Sequence, residues 1–196
     1  MRERVAQVSR RTGETDIQMT LNLDGTGHAE VATGIGFFDH MLDSFARHGL
    51  FDLKVVVKGD LEVDAHHTVE DTGIVLGEAI RQAVGDKKGI RRFGDCILPM
   101  DETLMMCALD LSGRPYLQFS VPLTVPRVGG FDTELLHEFF YAVSYGAAMN
   151  LHLKLMDGQN NHHIIEASFK SFAKSLDEAV QIDGRILEVL STKGSL

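Results

Sequence analysis

What this chain lacks narrows its chemistry before any motif is considered. Only two cysteines occur in 196 residues, Cys96 and Cys107, with no Cys-x-x-Cys spacing. That excludes a disulfide framework and a thiolate metal site; it suits a reduced cytoplasmic protein whose thiols serve as small core residues. No run approaches the roughly 18 to 20 apolar residues needed to cross a bilayer. Residues 1–7, Met-Arg-Glu-Arg-Val-Ala-Gln, contain no apolar signal core. The expectation is a soluble, cytoplasmic protein with no membrane partner. Positive charge is also scarce, with 19 Lys and Arg against 28 Asp and Glu and a formal charge of −9. Nucleic acid is therefore excluded as a non-specific partner, because such binding needs clustered cations to displace counterions. An anionic small substrate stays open if bound cations offset the charge locally.

Histidine is what the chain does have. Six of its nine histidines fall into two near-copies of one pattern. Asp64-Ala65-His66-His67-Thr68-Val69-Glu70-Asp71 is echoed by Asn160-Asn161-His162-His163-Ile164-Ile165-Glu166-Ala167, and His40 and His137 precede the two copies at matched spacing. His66, His67 and Glu70 map onto His162, His163 and Glu166 at an offset of 96 residues; Glu14-Thr15 maps onto Glu102-Thr103 at 88. The offset widens because the second half carries a Pro/Gly-rich insert, residues 121–130, which reads as a loop.

The repeat divides the chain into halves, 1–90 and 91–196, that together form one compact α+β unit. Each half reads β-β-α-β-α. Ile17, Met19, Leu21 and Leu23 alternate with polar residues as a half-buried strand, and Asp24-Gly25 predicts a hairpin to a second strand near 28–33. Phe37, Met41, Leu42 and Phe45 recur at helical spacing around His40. Residues 53–57 form a strand; Val69, Gly73, Leu76, Ile80 and Val84 mark a helix stopped by Gly85. The second half repeats the order: strands 104–111 and 116–121 as a hairpin, a helix over 133–148 capped by Asp132, a strand over 151–156, and a helix from His162.

On a helix, residues i and i+4 share a face while i and i+1 diverge by about 100°. His66 and Glu70 can grip one ion, whereas His67 points away from it, so each His-His-x-x-Glu copy should serve two ions. Shared equally, the six imidazoles and two carboxylates give three nitrogens and one carboxylate per metal, with open positions on a six-coordinate ion. Such ligation suits Mn²⁺, Fe²⁺ or Zn²⁺ in a dinuclear enzyme. Single histidines such as His28, His48 and His152 are ordinary hydrogen-bonded residues.

These residues carry a resemblance. The chain resembles the imidazoleglycerol-phosphate dehydratase family end to end, through Arg11-Thr12-Gly13-Glu14-Thr15, Gly36-Phe37-Phe38-Asp39-His40-Met41-Leu42, both histidine motifs, Gly113-Arg114-Pro115-Tyr116, His137-Glu138-Phe139-Phe140 and Ser191-Thr192-Lys193-Gly194. The resemblance implies duplicated halves of the ribosomal protein S5 domain 2-like kind and two Mn²⁺ per active site. It implies a homo-oligomer of 24 subunits with the metal sites between neighbours, and no fused phosphatase domain. The implied reaction converts imidazoleglycerol phosphate to imidazole acetol phosphate and water, in histidine biosynthesis. Metals on the ring nitrogens would favour the imidazolate, which can expel the neighbouring hydroxyl. The resemblance points to Glu14 as general acid/base, and to Arg92, Arg114, Lys170, Ser191 and Lys193 as phosphate-binding residues, where arginine's planar fork matches phosphate. Two other readings stay open on the residues alone: a dinuclear metallohydrolase, and a metal-binding protein without turnover.

Overall fold

A computed structural model describes residues 4–196, so of the N-terminal stretch 1–7 only the last four residues are described. Each half opens with a strand that periodicity did not reveal. The first half runs β1 (Val5–Arg11), β2 (Thr15–Asn22), β3 (Ala29–Ala32), α1 (Gly36–Gly49), β4 (Asp52–Gly59) and α2 (His66–Val84). The second runs β5 (Phe93–Met100), β6 (Thr103–Asp110), β7 (Tyr116–Ser120), β8 (Arg127–Val128), β9 (Phe131–Asp132), α3 (Leu135–Gly146), β10 (Asn150–Asp157) and α4 (Asn161–Val180). The α+β class and the duplication are present: the sheets are ordered β1-β2-β4-β3 and β5-β6-β10-β7, one topology used twice.

The expected pairing within each sheet is corrected. β2 and β3 are not a hairpin, nor are β6 and β7; β4 and β10 lie between them. The antiparallel hairpins are β1-β2 and β5-β6. β3 runs parallel to β4, and a parallel pair needs a crossover connection, here α1. Asp52, at the start of β4, takes the backbone N–H groups of Thr26 and His28 at 2.8 and 3.1 Å. That contact carries the chain past β4 to its far edge. The Asp24-Gly25 turn exists, but Gly25 packs so closely on Asp52 that a Cβ would lie 2.3 Å from its backbone N.

Two finer expectations also change. The insert is not all loop, since β8 lies in it and pairs with β9 just beyond it. Asp132 does not cap α3: it lies in β9, ion-paired to Arg127 at 2.7 Å, and Glu134 precedes the helix without a side-chain cap. Gly85 ends α2 with φ 69°, as its position suggests. Cys107 is buried, and burial pushes its thiol up to about 12; Cys96 is only half-buried.

Each sheet turns one face to its own helices: Ile17, Met19, Leu21, Leu53 and Val55 are buried while Gln18 and Lys54 face out. The halves then meet through helices, α2 on α3 and α1 on α4. Phenylalanines from both halves lock this layer, with Phe38 on Phe139 at 5.3 Å and Phe45 on Phe172 at 5.5 Å between ring centroids. Each fully buried ring contributes about 1.5–3 kcal/mol, so the helix layer shared by the two halves carries part of the core of each.

The α2–α3 crossing depends on glycine. A Cβ at Gly77 would lie 2.6 Å from the carbonyl oxygen of Val143 and 2.8 Å from Gly146 Cα. In an exposed helix, glycine to alanine adds about 1 kcal/mol of stability. Here we expect Gly77→Ala to reverse that sign, because overpacking costs about 1–3 kcal/mol. A lowered unfolding midpoint in urea is the expected result; a raised midpoint would show that the helices separate freely.

Candidate metal centre

Helix α4 starts at the second histidine motif because the Asn160 side chain accepts the His162 N–H at 3.0 Å, an N-cap bond. One turn apart on that helix, His162 Nε2 lies 3.1 Å from Glu166 Oε2. Helix α1 packs against α4 and delivers His40 Nε2 to 3.5 Å from the same oxygen. One donor atom from each of His40, His162 and Glu166 lies within 4.8 Å of the others. Two imidazoles and a carboxylate at that separation fit a first-row divalent cation. The cluster crosses between halves, since His40 belongs to the first and His162 and Glu166 to the second.

Glu166 is nearly buried, at 7% exposure. Burial pushes its carboxyl up, but the Lys170 ammonium bonded at 2.6 Å and the charge of His40 outweigh it, and the net shift is downward. The side chain is thus held as an anion. Lys170 stands at this carboxylate, away from the other phosphate candidates.

The mirror set is not gathered in the same way. His66 Nε2 and Glu70 Oε2 are 3.6 Å apart on α2. His137 instead bonds Glu138 at 2.9 Å and lies between Phe119 and Tyr141, ring centroids 5.3 and 6.2 Å away. Among the described residues, His40, His162 and Glu166 are the single group of three or more ligand atoms so close together.

The second histidine of each pair does turn aside. His66 and His67 rings stand at 85°, His162 and His163 at 86°. His67 bonds Asp60 Oδ2 through Nδ1 at 2.9 Å, and its Nε2 lies 3.6 Å from Glu14 Oε1. His163 bonds Glu102 Oε2 through Nδ1 at 2.8 Å. A carboxylate on Nδ1 fixes the tautomer and leaves Nε2 for a ligand. These bonds raise the pKa of both imidazoles and hold Glu102 down at about 2. Asp60 and Glu102 were not among the sequence candidates. Glu102 had a signal, as the repeat partner of Glu14; Asp60, in the turn after β4, had none.

Four of the five phosphate candidates converge. Arg92, Arg114, Ser191 and Lys193 line one cavity of 670 Å³ beneath the C-terminal segment. Arg92 is not a solvated charge: its guanidinium grips Asp110 through two bonds of 2.6 and 2.9 Å and donates to the carbonyl of Leu190 at 2.7 Å. No Arg114 side-chain ion pair is present among the described residues, so its charge is free to face the cavity.

Fold and site together define a duplicated α+β protein whose histidine-bearing helices are paired across the two halves. A sequence model of the family described as imidazoleglycerol-phosphate dehydratase matches residues 33–176. The imidazoleglycerol-phosphate dehydratase of Lachnoclostridium phytofermentans is 67% identical over 193 residues, 98% of each chain. That of Acetivibrio thermocellus is 59% identical over 194 residues, 99% of this chain and all of the other. Among solved structures, the enzyme from Staphylococcus aureus superposes with a TM-score of 0.83 at 39% identity, covering 91% of this chain and 99% of that one. The Pyrococcus furiosus enzyme gives 0.82 at 36%, covering 96% and 100%. The chain belongs to the imidazoleglycerol-phosphate dehydratase family. It is accordingly an enzyme, a lyase of histidine biosynthesis that dehydrates imidazoleglycerol phosphate.

Proposed function

We propose that the dehydration runs at a dinuclear Mn²⁺ centre held by His40, His66, His67, Glu70, His137, His162, His163 and Glu166. The observation that carries this reading is the gathering of His40, His162 and Glu166 from opposite halves around one point. The repeat supplies an equivalent donor set, and His137 is not gathered with His66 and Glu70 inside one chain. A neighbouring subunit in a 24-subunit homo-oligomer completes the sites. When bound, the ions supply Lewis acidity toward the substrate's ring nitrogens and favour the anionic ring.

The chain's own residues do the rest. Asp60 and Glu102 orient the imidazoles of His67 and His163. Glu14 takes the carbon-bound proton at Oε1 and returns one to the departing hydroxyl, the work of a single general acid/base. Arg92, Arg114, Ser191 and Lys193 hold the phosphate, and Lys170 keeps Glu166 charged and in place. No helix among the described residues is long and apolar enough to cross a membrane, and two free thiols fit a cytoplasmic setting.

The test is metal content per chain after gentle purification, read with the native mass. Two Mn²⁺ per 21.6 kDa chain in a large assembly is the expected result, with turnover lost on chelation and regained with Mn²⁺. One ion or fewer per active chain, or turnover that survives chelation, overturns the dinuclear reading.

A further inference from the structure

The duplication places two glutamates at equivalent positions, Glu14 and Glu102, each beside the second histidine of a pair. Only one of them is free. Glu102 Oε1 accepts from the Asn160 N–H at 2.8 Å and from the Thr103 hydroxyl at 3.2 Å, while Oε2 holds His163. The Glu14 carboxylate accepts no hydrogen bond among the described residues; its nearest polar partner is His67 Nε2 at 3.6 Å. Both are followed by a buried threonine, 3% exposed at Thr15 and 1% at Thr103. The two threonines point their hydroxyls at different acceptors. Thr103 donates back to Glu102, whereas Thr15 donates to Asp71 Oδ2 at 2.5 Å.

Asp71 follows Glu70 on α2 and is 6% exposed. Arg10 on β1 lies 2.6 Å from the same Asp71 oxygen, off the hydrogen-bond axis but close enough to neutralise it. The position of Asp71 in the second half is occupied by Ala167, which has no acceptor. This difference adds to another, the Asn160 N–H that reaches Glu102 and has no counterpart on Glu14, in setting the two glutamates apart. A buried hydroxyl must find a partner. Without an aspartate, Thr15 is left with Thr12 Oγ1 at 3.3 Å, which already accepts the Glu14 and Thr15 N–H groups, and with the adjoining glutamate, the acceptor that Thr103 takes. The remaining bonds fix the Glu14 backbone: its N–H donates to Thr12 Oγ1 at 3.1 Å and its carbonyl accepts from the Asp60 N–H at 3.1 Å. The backbone is thus held while the carboxylate stays unengaged.

We propose that Asp71 is a positioning residue that claims the Thr15 hydroxyl and so leaves the Glu14 carboxylate free to exchange protons with substrate. This rests on the reading of Glu14 as the acid/base. Asp71→Ala imposes the arrangement of the second half, and a crystal structure of the variant is expected to place Thr15 Oγ1 on Glu14. The expected kinetics are a kcat lowered at least tenfold, with KM within about threefold and Mn²⁺ per chain unchanged. Adding Thr15→Val removes the competing hydroxyl and restores kcat to within about threefold of wild type, which a purely structural loss would not do. Where Asp71→Ala fails to fold, Asp71→Asn serves instead, because its amide oxygen still accepts from Thr15; kcat within threefold supports the assignment and a tenfold fall overturns it. A tenfold loss that Thr15→Val fails to relieve also overturns it. Glu14→Gln is assayed alongside. Wild-type turnover there removes the acid/base reading itself, whereas a dead Glu14→Gln beside a fully active Asp71→Ala removes only the role of Asp71.

Discussion

Replacing Glu14 by glutamine is expected to lower kcat by about 10² to 10⁴, the range for removing a positioned general acid/base. KM and bound Mn²⁺ should stay within about threefold of wild type. The substitution keeps shape and hydrogen-bonding capacity but cannot take up a proton at the stated oxygen. The side chain is more than half exposed and touches the site only through His67, so neither the fold nor the ligand set depends on it. Steady-state kinetics with metal analysis separate the outcomes. A parallel fall in metal content would make Glu14 a support for His67, and wild-type turnover would remove it from the chemistry.

Arg114→Ala is expected to raise KM about ten- to a hundredfold, from the roughly 1.5–3 kcal/mol of a charge-assisted bond. Because phosphate lies away from the reacting carbons, kcat should change less, and inorganic phosphate should inhibit the variant more weakly. An unchanged KM would take Arg114 out of substrate binding. Arg114 is the cleaner probe than Arg92. Arg92 is 13% exposed and holds Asp110 by two bonds, and removing it would leave a part-buried carboxylate without its counter-charge. A KM change at Arg92 would mix folding with binding.

The limits of legibility follow from the range of each interaction. The i, i+4 spacing of His162 and Glu166 is a property of one helix, so sequence placed them together and the 3.1 Å contact follows. The divergence of His67 and His163 from their neighbours was equally local. Their acidic partners were not, because Asp60 and Glu102 arrive from other elements. The strand faces were legible from alternation, but the strand neighbours were not. Periodicity states which side chains are buried and says nothing about which edge is bonded; Asp52 settles that by redirecting the chain between β2 and β3. β1 and β5 were missed outright: the polar Gln7, Ser9, Arg10 and Arg11 conceal the buried Ala6 and Val8 of β1, and Asp95 and Pro99 break the pattern in β5.

By itself, then, the order of residues determined the duplication, the α+β class and the helix turns that carry the two His-His-x-x-Glu motifs, because each rests on contacts within a few residues or on a repeat visible in the letters. Tertiary structure alone decided that His40 joins the opposite half's pair, that Arg92 is tied to Asp110, and that Asp71 draws Thr15 away from Glu14. Those contacts link residues more than a hundred, 18 and 56 positions apart. The first exists only once the two halves have packed their helices together, the others only once β5 has paired with β6 and α2 has packed on β2; the packing between halves is fixed by phenylalanines and glycines whose spacing carries no record of the partner they meet.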